Sequence, residues 1–105
     1  MDIKEREFVR WYDYDCRVRH IHKSYHGKML KFVVQLEVCV RGRWHPVVRY
    51  DTVHDFVHRD YLHANGRIDK TPVFIDDYNK ALIFAQEDLK INWKLYRRQF
   101  LEEVE

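Results

Sequence analysis

The chain has 105 residues, 46% of them hydrophobic and 15% aromatic, which suits one domain with its own core and excludes a largely disordered segment. Nineteen basic against seventeen acidic residues leave a net charge of +2, which excludes the broad basic excess of a nucleic-acid-coating protein but allows a local patch. No run approaches the ~18 apolar residues of a membrane span, and the start, Met1 to Glu7, is charged with no apolar stretch, so a cytoplasmic protein without a signal peptide is expected.

In chain order, residues 15–23 alternate, with Cys16, Val18, His20 and His22 on one side and Arg17, Arg19, Ile21 and Lys23 on the other. That is a strand with one half-buried face. Ser24 to Gly27 reads as a turn. Residues 29–40 follow as the clearest strand, with Phe32, Val34, Leu36, Val38 and Val40 forming one wholly apolar face. Arg41-Gly42-Arg43 reverses the chain into a strand over 44–53. If Trp44, Val48 and Tyr50 join that apolar face, Val40 lies opposite Trp44, which demands a three-residue loop or a bulge. The same register puts Gln35 opposite Arg49 and Glu37 opposite Val47. A fourth strand, about 56–63, leads into Ala64-Asn65-Gly66-Arg67, a strong hairpin signal. The strand after it, 67–74, carries Pro72, which belongs at a sheet edge.

Asp76 or Asp77 caps a helix reaching about residue 101. Tyr78, Leu82, Ala85, Leu89, Trp93, Tyr96 and Phe100 recur at spacings of three and four, the stripe a helix needs to lie across a sheet. The expected fold is therefore α+β. A single domain over 1–105 combines a four- to five-stranded antiparallel sheet, about 9–74, with one helix, about 76–101, over the Phe32 face.

Chemistry concentrates between Arg49 and His63, where three histidines, three aspartates, two arginines and two tyrosines fall within one strand end, a loop and the next strand. Three readings compete. His54, His58 and His63 could bind a metal with Asp51 or Asp55, although strand geometry does not favour that spacing. Alternatively, metal-independent RNA cleavage needs a base, an acid and a cation on the phosphate. His54 and His58 suit the proton transfers, Arg49 and Arg59 the phosphate, and Asp51 the orienting of a histidine. The third reading is a solvated outer sheet face of cross-strand Arg–Asp pairs. Cys16, His20, His22 and His26 form a second cluster, better read as a half-buried strand face than as zinc ligands. Neither Cys16 nor Cys39 belongs to a CxxC pair, and two free thiols are expected. Along the helix, Lys90, Lys94, Arg97 and Arg98 make a basic face that could meet RNA phosphates or an acidic partner. No phosphate-binding glycine motif, nucleophile elbow or zincin motif is present, and no cofactor is expected.

From Gly42 to His63 the chain resembles the TumE-like toxin components of toxin–antitoxin pairs and related small prokaryotic proteins. The residues that carry the resemblance are Arg49-Tyr50-Asp51-Thr52, His54, His58-Arg59-Asp60 and His63, with Asn92-Trp93 inside the closing helix. It departs from their pattern at Thr52, Asp55 and Asp60, where Asn, Gly and His are usual. The resemblance implies a small sheet-plus-helix toxin acting on RNA and held by an antitoxin protein. Its site residues would be Arg49, Asp51, His54, His58 and His63, with Arg59, Lys90, Lys94 and Arg97 as RNA contacts and no metal. The alternative is a non-enzymatic module that dimerises or binds a partner through a sheet edge or the helix. An apolar remainder at Phe84, Ile91 and Leu95, off the core stripe, would favour it.

Overall fold

A computed structural model describes residues 2–53 and 56–105. The elements run β1 (Ile3–Asp13), β2 (Cys16–Tyr25), β3 (Lys28–Val40), β4 (Arg43–Asp51), β5 (His58–Leu62), β6 (Ile68–Pro72) and α1 (Tyr78–Val104). The strands form one antiparallel sheet in the order β1-β2-β3-β4-β5-β6, each paired with its chain neighbour. The α+β class and the single long C-terminal helix are as expected, but the sheet has six strands rather than four or five. The additional strand is β1, whose residues are mostly exposed and charged on both sides. Such a strand has no apolar face to reveal it by alternation, and charge is what protects an edge from pairing with another chain.

One face of the sheet packs under α1. Cys16, Val18 and His20 of β2, Phe32, Val34, Leu36 and Val38 of β3, and Val48 and Tyr50 of β4 are buried there with Ala81, Leu82, Ala85, Leu89 and Phe100. Each large apolar side chain buried in this way is worth roughly 1.5–3 kcal/mol. Asp77 caps the helix by accepting from the Asn79 and Lys80 amides at 2.8 and 3.3 Å, a contact worth about 1 kcal/mol. Asn79 ties this end to the β2–β3 turn, accepting from the Met29 amide at 2.8 Å and donating to the Gly27 carbonyl at 2.9 Å. At the other end Arg97 donates to Asp15 at 2.8 Å and to Asp13 at 3.3 Å, clamping the β1–β2 turn.

The β3–β4 turn corrects the expected register. Arg41 and Gly42, both at positive φ (52° and 78°), make a two-residue turn with Val40 opposite Arg43. The extra residue lies inside β4: Leu36 faces Val48 and Glu37 faces Pro46, so Val47 bulges out of the ladder. A bulge reverses side-chain parity. Trp44 is therefore paired with Cys39 on the outer face, while His45, paired with Val38, turns toward Phe100 with ring centroids 5.6 Å apart. Gln35 does face Arg49, but Glu37 faces Pro46 rather than Val47.

On the outer face, polar side chains link across strands. Glu7 meets Arg19 at 3.4 Å, Arg19 and Arg17 both reach Glu37, Gln35 donates to Glu37 at 2.7 Å, and Arg49 donates to Gln35 at 2.7 Å. Burial alone would raise the Glu37 carboxyl. The bonds from Arg17 and Gln35 and the Arg19 charge instead hold it below the usual carboxylate range. The Arg17 guanidinium also lies 3.9 Å from the centre of the Trp44 ring.

Candidate functional site

The sheet register distributes the Arg49–His63 residues over two faces, because directly opposed residues of antiparallel strands point the same way. Asp51 faces His58 and Arg49 faces Asp60, so Arg49, Asp51 and His58 share the outer face. Arg49 is occupied by Gln35, Asp51 accepts from the Val53 amide at 3.2 Å, and the buried His58 has Nε2 3.3 Å from the Val53 carbonyl. Asp60, buried beneath β6, pairs with Lys70 at 3.2 Å. His54 and Asp55 lie outside the described residues. Arg59 faces Tyr50, on the helix side.

His63 stands apart from His58, past the far end of β5. Its Nδ1 meets Glu103 Oε2 and its Nε2 meets Asp69 Oδ2, both at 2.7 Å, while Glu103 also accepts from the Ala64 amide at 3.0 Å. Two carboxylates facing the two ring nitrogens favour the imidazolium, and the bonds to Asp69 and Glu103 raise the His63 pKa. The group staples the β5–β6 loop to the end of α1. Among the basic helix residues, Arg97 is engaged by Asp13 and Asp15, and Arg97 and Lys94 sit over the Trp93 ring. Lys90 lines a cavity of about 120 Å³ with Arg10, Tyr12 and His20. Among the described residues, no group of three or more His, Cys, Asp or Glu side chains has the arrangement to hold a metal ion. Cys16 and Cys39 are free thiols, and burial pushes the Cys16 thiol up to about 12.

A polar cluster that sequence reasoning missed lies between sheet and helix. Asp88 accepts from Tyr50 at 2.6 Å, from Tyr96 at 2.9 Å and from Asn92 at 2.8 Å. The Arg59 guanidinium lies close enough to both tyrosines to favour their ionised forms, against burial and Asp88. Burial, then the Asp88 bond, raises the Tyr50 phenol, and the same causes push Tyr96 up to about 12. The signal was present in the spacing of Asp88, Asn92 and Tyr96, four residues apart on one helix face. What was invisible was that Tyr50 would arrive against that face. Every member of this cluster is satisfied by another, so it fastens β4 and β5 to α1.

Among the charged residues of α1 that face solvent stand three apolar ones. Phe84, whose ring edge also meets Tyr50 with centroids 6.1 Å apart, is 47% exposed, Ile91 71% and Leu95 39%. These three lie seven and four residues apart, hence on one stripe.

A comparison with protein families matches residues 2–105, nearly the whole chain, to the domain of unknown function DUF7718. The chain belongs to the DUF7718 family. That family's description names no activity and no toxin–antitoxin partner. Searches of curated proteins and of solved structures return no match for this DUF7718 chain. No helix among the described residues is long and apolar enough to cross a membrane.

Proposed function

We propose that this DUF7718 chain is a protein-interaction module that docks through the outward face of α1. The observation that carries the reading is the exposed stripe of Phe84, Ile91 and Leu95 on a helix whose core stripe is already satisfied. Leaving aligned apolar side chains in water forgoes the free energy of burial, and a partner recovers it. The test is photo-crosslinking in cells, with a photoactivatable residue at position 91 or, as a control, at the exposed Lys31 of the outer sheet face. A discrete protein adduct from position 91 alone is the expected result. No adduct from position 91, or the same adducts from both positions, would overturn the reading.

A second reading, a toxin-type, metal-independent ribonuclease held by an antitoxin, draws support from one observation. Arg49, Asp51 and His58 share the outer face at the β4–β5 end. An Arg–carboxylate–His set has the charge and proton-transfer chemistry that cleavage of RNA requires. Tightly controlled expression in a bacterial host, with total RNA followed in parallel, tests it. Arrest with RNA loss in the wild type, absent in a folded His54→Ala/His58→Ala variant, is expected. Growth without arrest in the wild type would remove this reading.

A further inference from the structure

We infer that the partner seated on α1 is the α1 helix of a second copy of this chain, packed antiparallel about a two-fold axis at Ile91. The inference rests on the reading of α1 as the docking face and names its occupant. The helix has 27 residues, about 40 Å of length over which two copies can lie together.

A two-fold contact brings residues at equal distances before and after the axis into register, so the stripe must be complementary to its own reversal. This helix meets that condition. Lys80 and Glu102 stand eleven residues either side of Ile91, so each copy's first turn meets the other's last with opposite charge. Phe84 and Arg98, seven residues either side, bring a guanidinium onto an aromatic ring. Asp88 and Lys94, three residues either side, again set opposite charges against each other, while Glu87 and Leu95, four either side, place a carboxylate at the edge of the apolar centre. Ile91, the most exposed of the three apolar residues, meets itself on the axis, with Leu95 beside it.

The parallel alternative fails on the same residues. In parallel register each position faces its own copy, setting Lys80 on Lys80, Glu87 on Glu87, Lys94 on Lys94 and Glu102 on Glu102. Like charges juxtaposed across an interface oppose association. The sign pattern, basic near the start of the stripe and acidic at its end, therefore selects both the partner and its direction. Nothing else on the outer stripe competes for the site, because Asp88 is held by Tyr50, Asn92 and Tyr96, and Arg97 by Asp13 and Asp15.

The test uses the full chain with Cys39→Ser, so that the partly exposed thiol does not interfere while Cys16 remains buried. Sedimentation of the purified protein should give twice the 13.1 kDa chain mass, and Ile91→Arg should raise the dissociation constant by more than about tenfold. Ile91→Cys, placing a thiol against its own copy on the axis, should form an intermolecular disulfide on mild oxidation. Phe84→Cys, with the two thiols roughly 20 Å apart along antiparallel helices, should not. Disulfides from both variants would overturn the antiparallel arrangement. A monomeric mass with no disulfide from either would overturn the second copy as occupant. That last outcome, combined with a discrete adduct of another mass from position 91 in cells, would leave the docking face standing with a different partner. No adduct at all would remove both readings.

Discussion

β3 and β6 belong to the same antiparallel sheet, yet different physics holds each. β3 lies in the middle, with Phe32, Val34, Leu36 and Val38 buried under α1 and its ladder satisfied on both edges. Every residue of β6 is exposed, and one of its edges is unpaired. Its attachments are the ladder to β5, the Lys70–Asp60 pair, the Val73 amide on the Val57 carbonyl at 2.9 Å, and the His63–Asp69 contact. Pro72 and Lys70 protect that edge from further pairing. The centre of the sheet is thus held by burial and its margin by directional polar contacts, which respond differently to mutation and pH.

The largest expected effect lies at the centre. Leu36→Ala should lower unfolding free energy by about 3 kcal/mol or more, through lost burial and the cavity left behind. Ile68→Ala, on the exposed β6, should stay within about 0.5 kcal/mol. Equal losses in urea titrations of the two variants would erase the contrast. An intermediate effect is expected where helix and sheet are joined by polar groups. Asp88→Ala leaves Tyr50, Tyr96 and Asn92 without their acceptor and should cost about 2–3 kcal/mol, with Asp88→Asn recovering part of it. A loss below about 0.5 kcal/mol would show that water replaces the carboxylate.

The smallest effects separate the two regions by pH. His20, under α1, is depressed to about 4 by burial, with help from His22 and Arg10. The unfolded chain therefore binds its proton more readily between about 4 and the ordinary histidine value near 6.5, and stability should fall as pH drops through that window. His20→Leu should flatten this limb, and an unchanged limb would refute the assignment. His63 behaves oppositely. Its raised pKa means its contribution is complete below about 6.5 and is lost as pH rises through the folded value. Asp69 is lowered by His63. Glu103 is lowered by the Ala64 amide and then by His63. The contributions of both carboxylates are lost as pH falls through their folded values. Arg67, with Nη2 3.1 Å from His63 Nε2, works against the charged ring. The protection of the β5–β6 amides, taken relative to their intrinsic base-catalysed exchange, should accordingly be greatest in mildly acidic solution. His63→Gln should remove the fall in protection toward neutral pH, and an unaltered protection profile would place the cause elsewhere.

Much of the fold was legible because burial writes a period into the chain. The alternation of Phe32, Val34, Leu36 and Val38 marked β3 and its core face, the helix stripe marked α1, and Asn65-Gly66 marked the last hairpin. β1 was not legible, since an exposed edge strand has charges on both sides. A loop or a bulge was expected to bring Trp44 onto the apolar face opposite Val40, with Val47 paired to Glu37; the bulge instead falls at Val47 within β4, behind a two-residue turn, and sends Trp44 to the other face. The candidate site was less legible still. Arg49, Asp51 and His58 are together, whereas Arg59 and His63 are drawn to α1 by partners far along the chain.

By itself, then, the amino-acid order determined the class of fold, the core face of β3, the buried stripe of the helix and the apolar remainder at Phe84, Ile91 and Leu95. These follow from local periodicity, in which each residue's neighbours three, four or two positions away decide its environment. The tertiary structure alone decided which polar groups find each other: Tyr50 with Asp88, His63 with Glu103 and Asp69, Arg97 with Asp13 and Asp15. Those pairings depend on distances between elements, set by a single bulge and by where the helix comes to rest, and no local pattern records them.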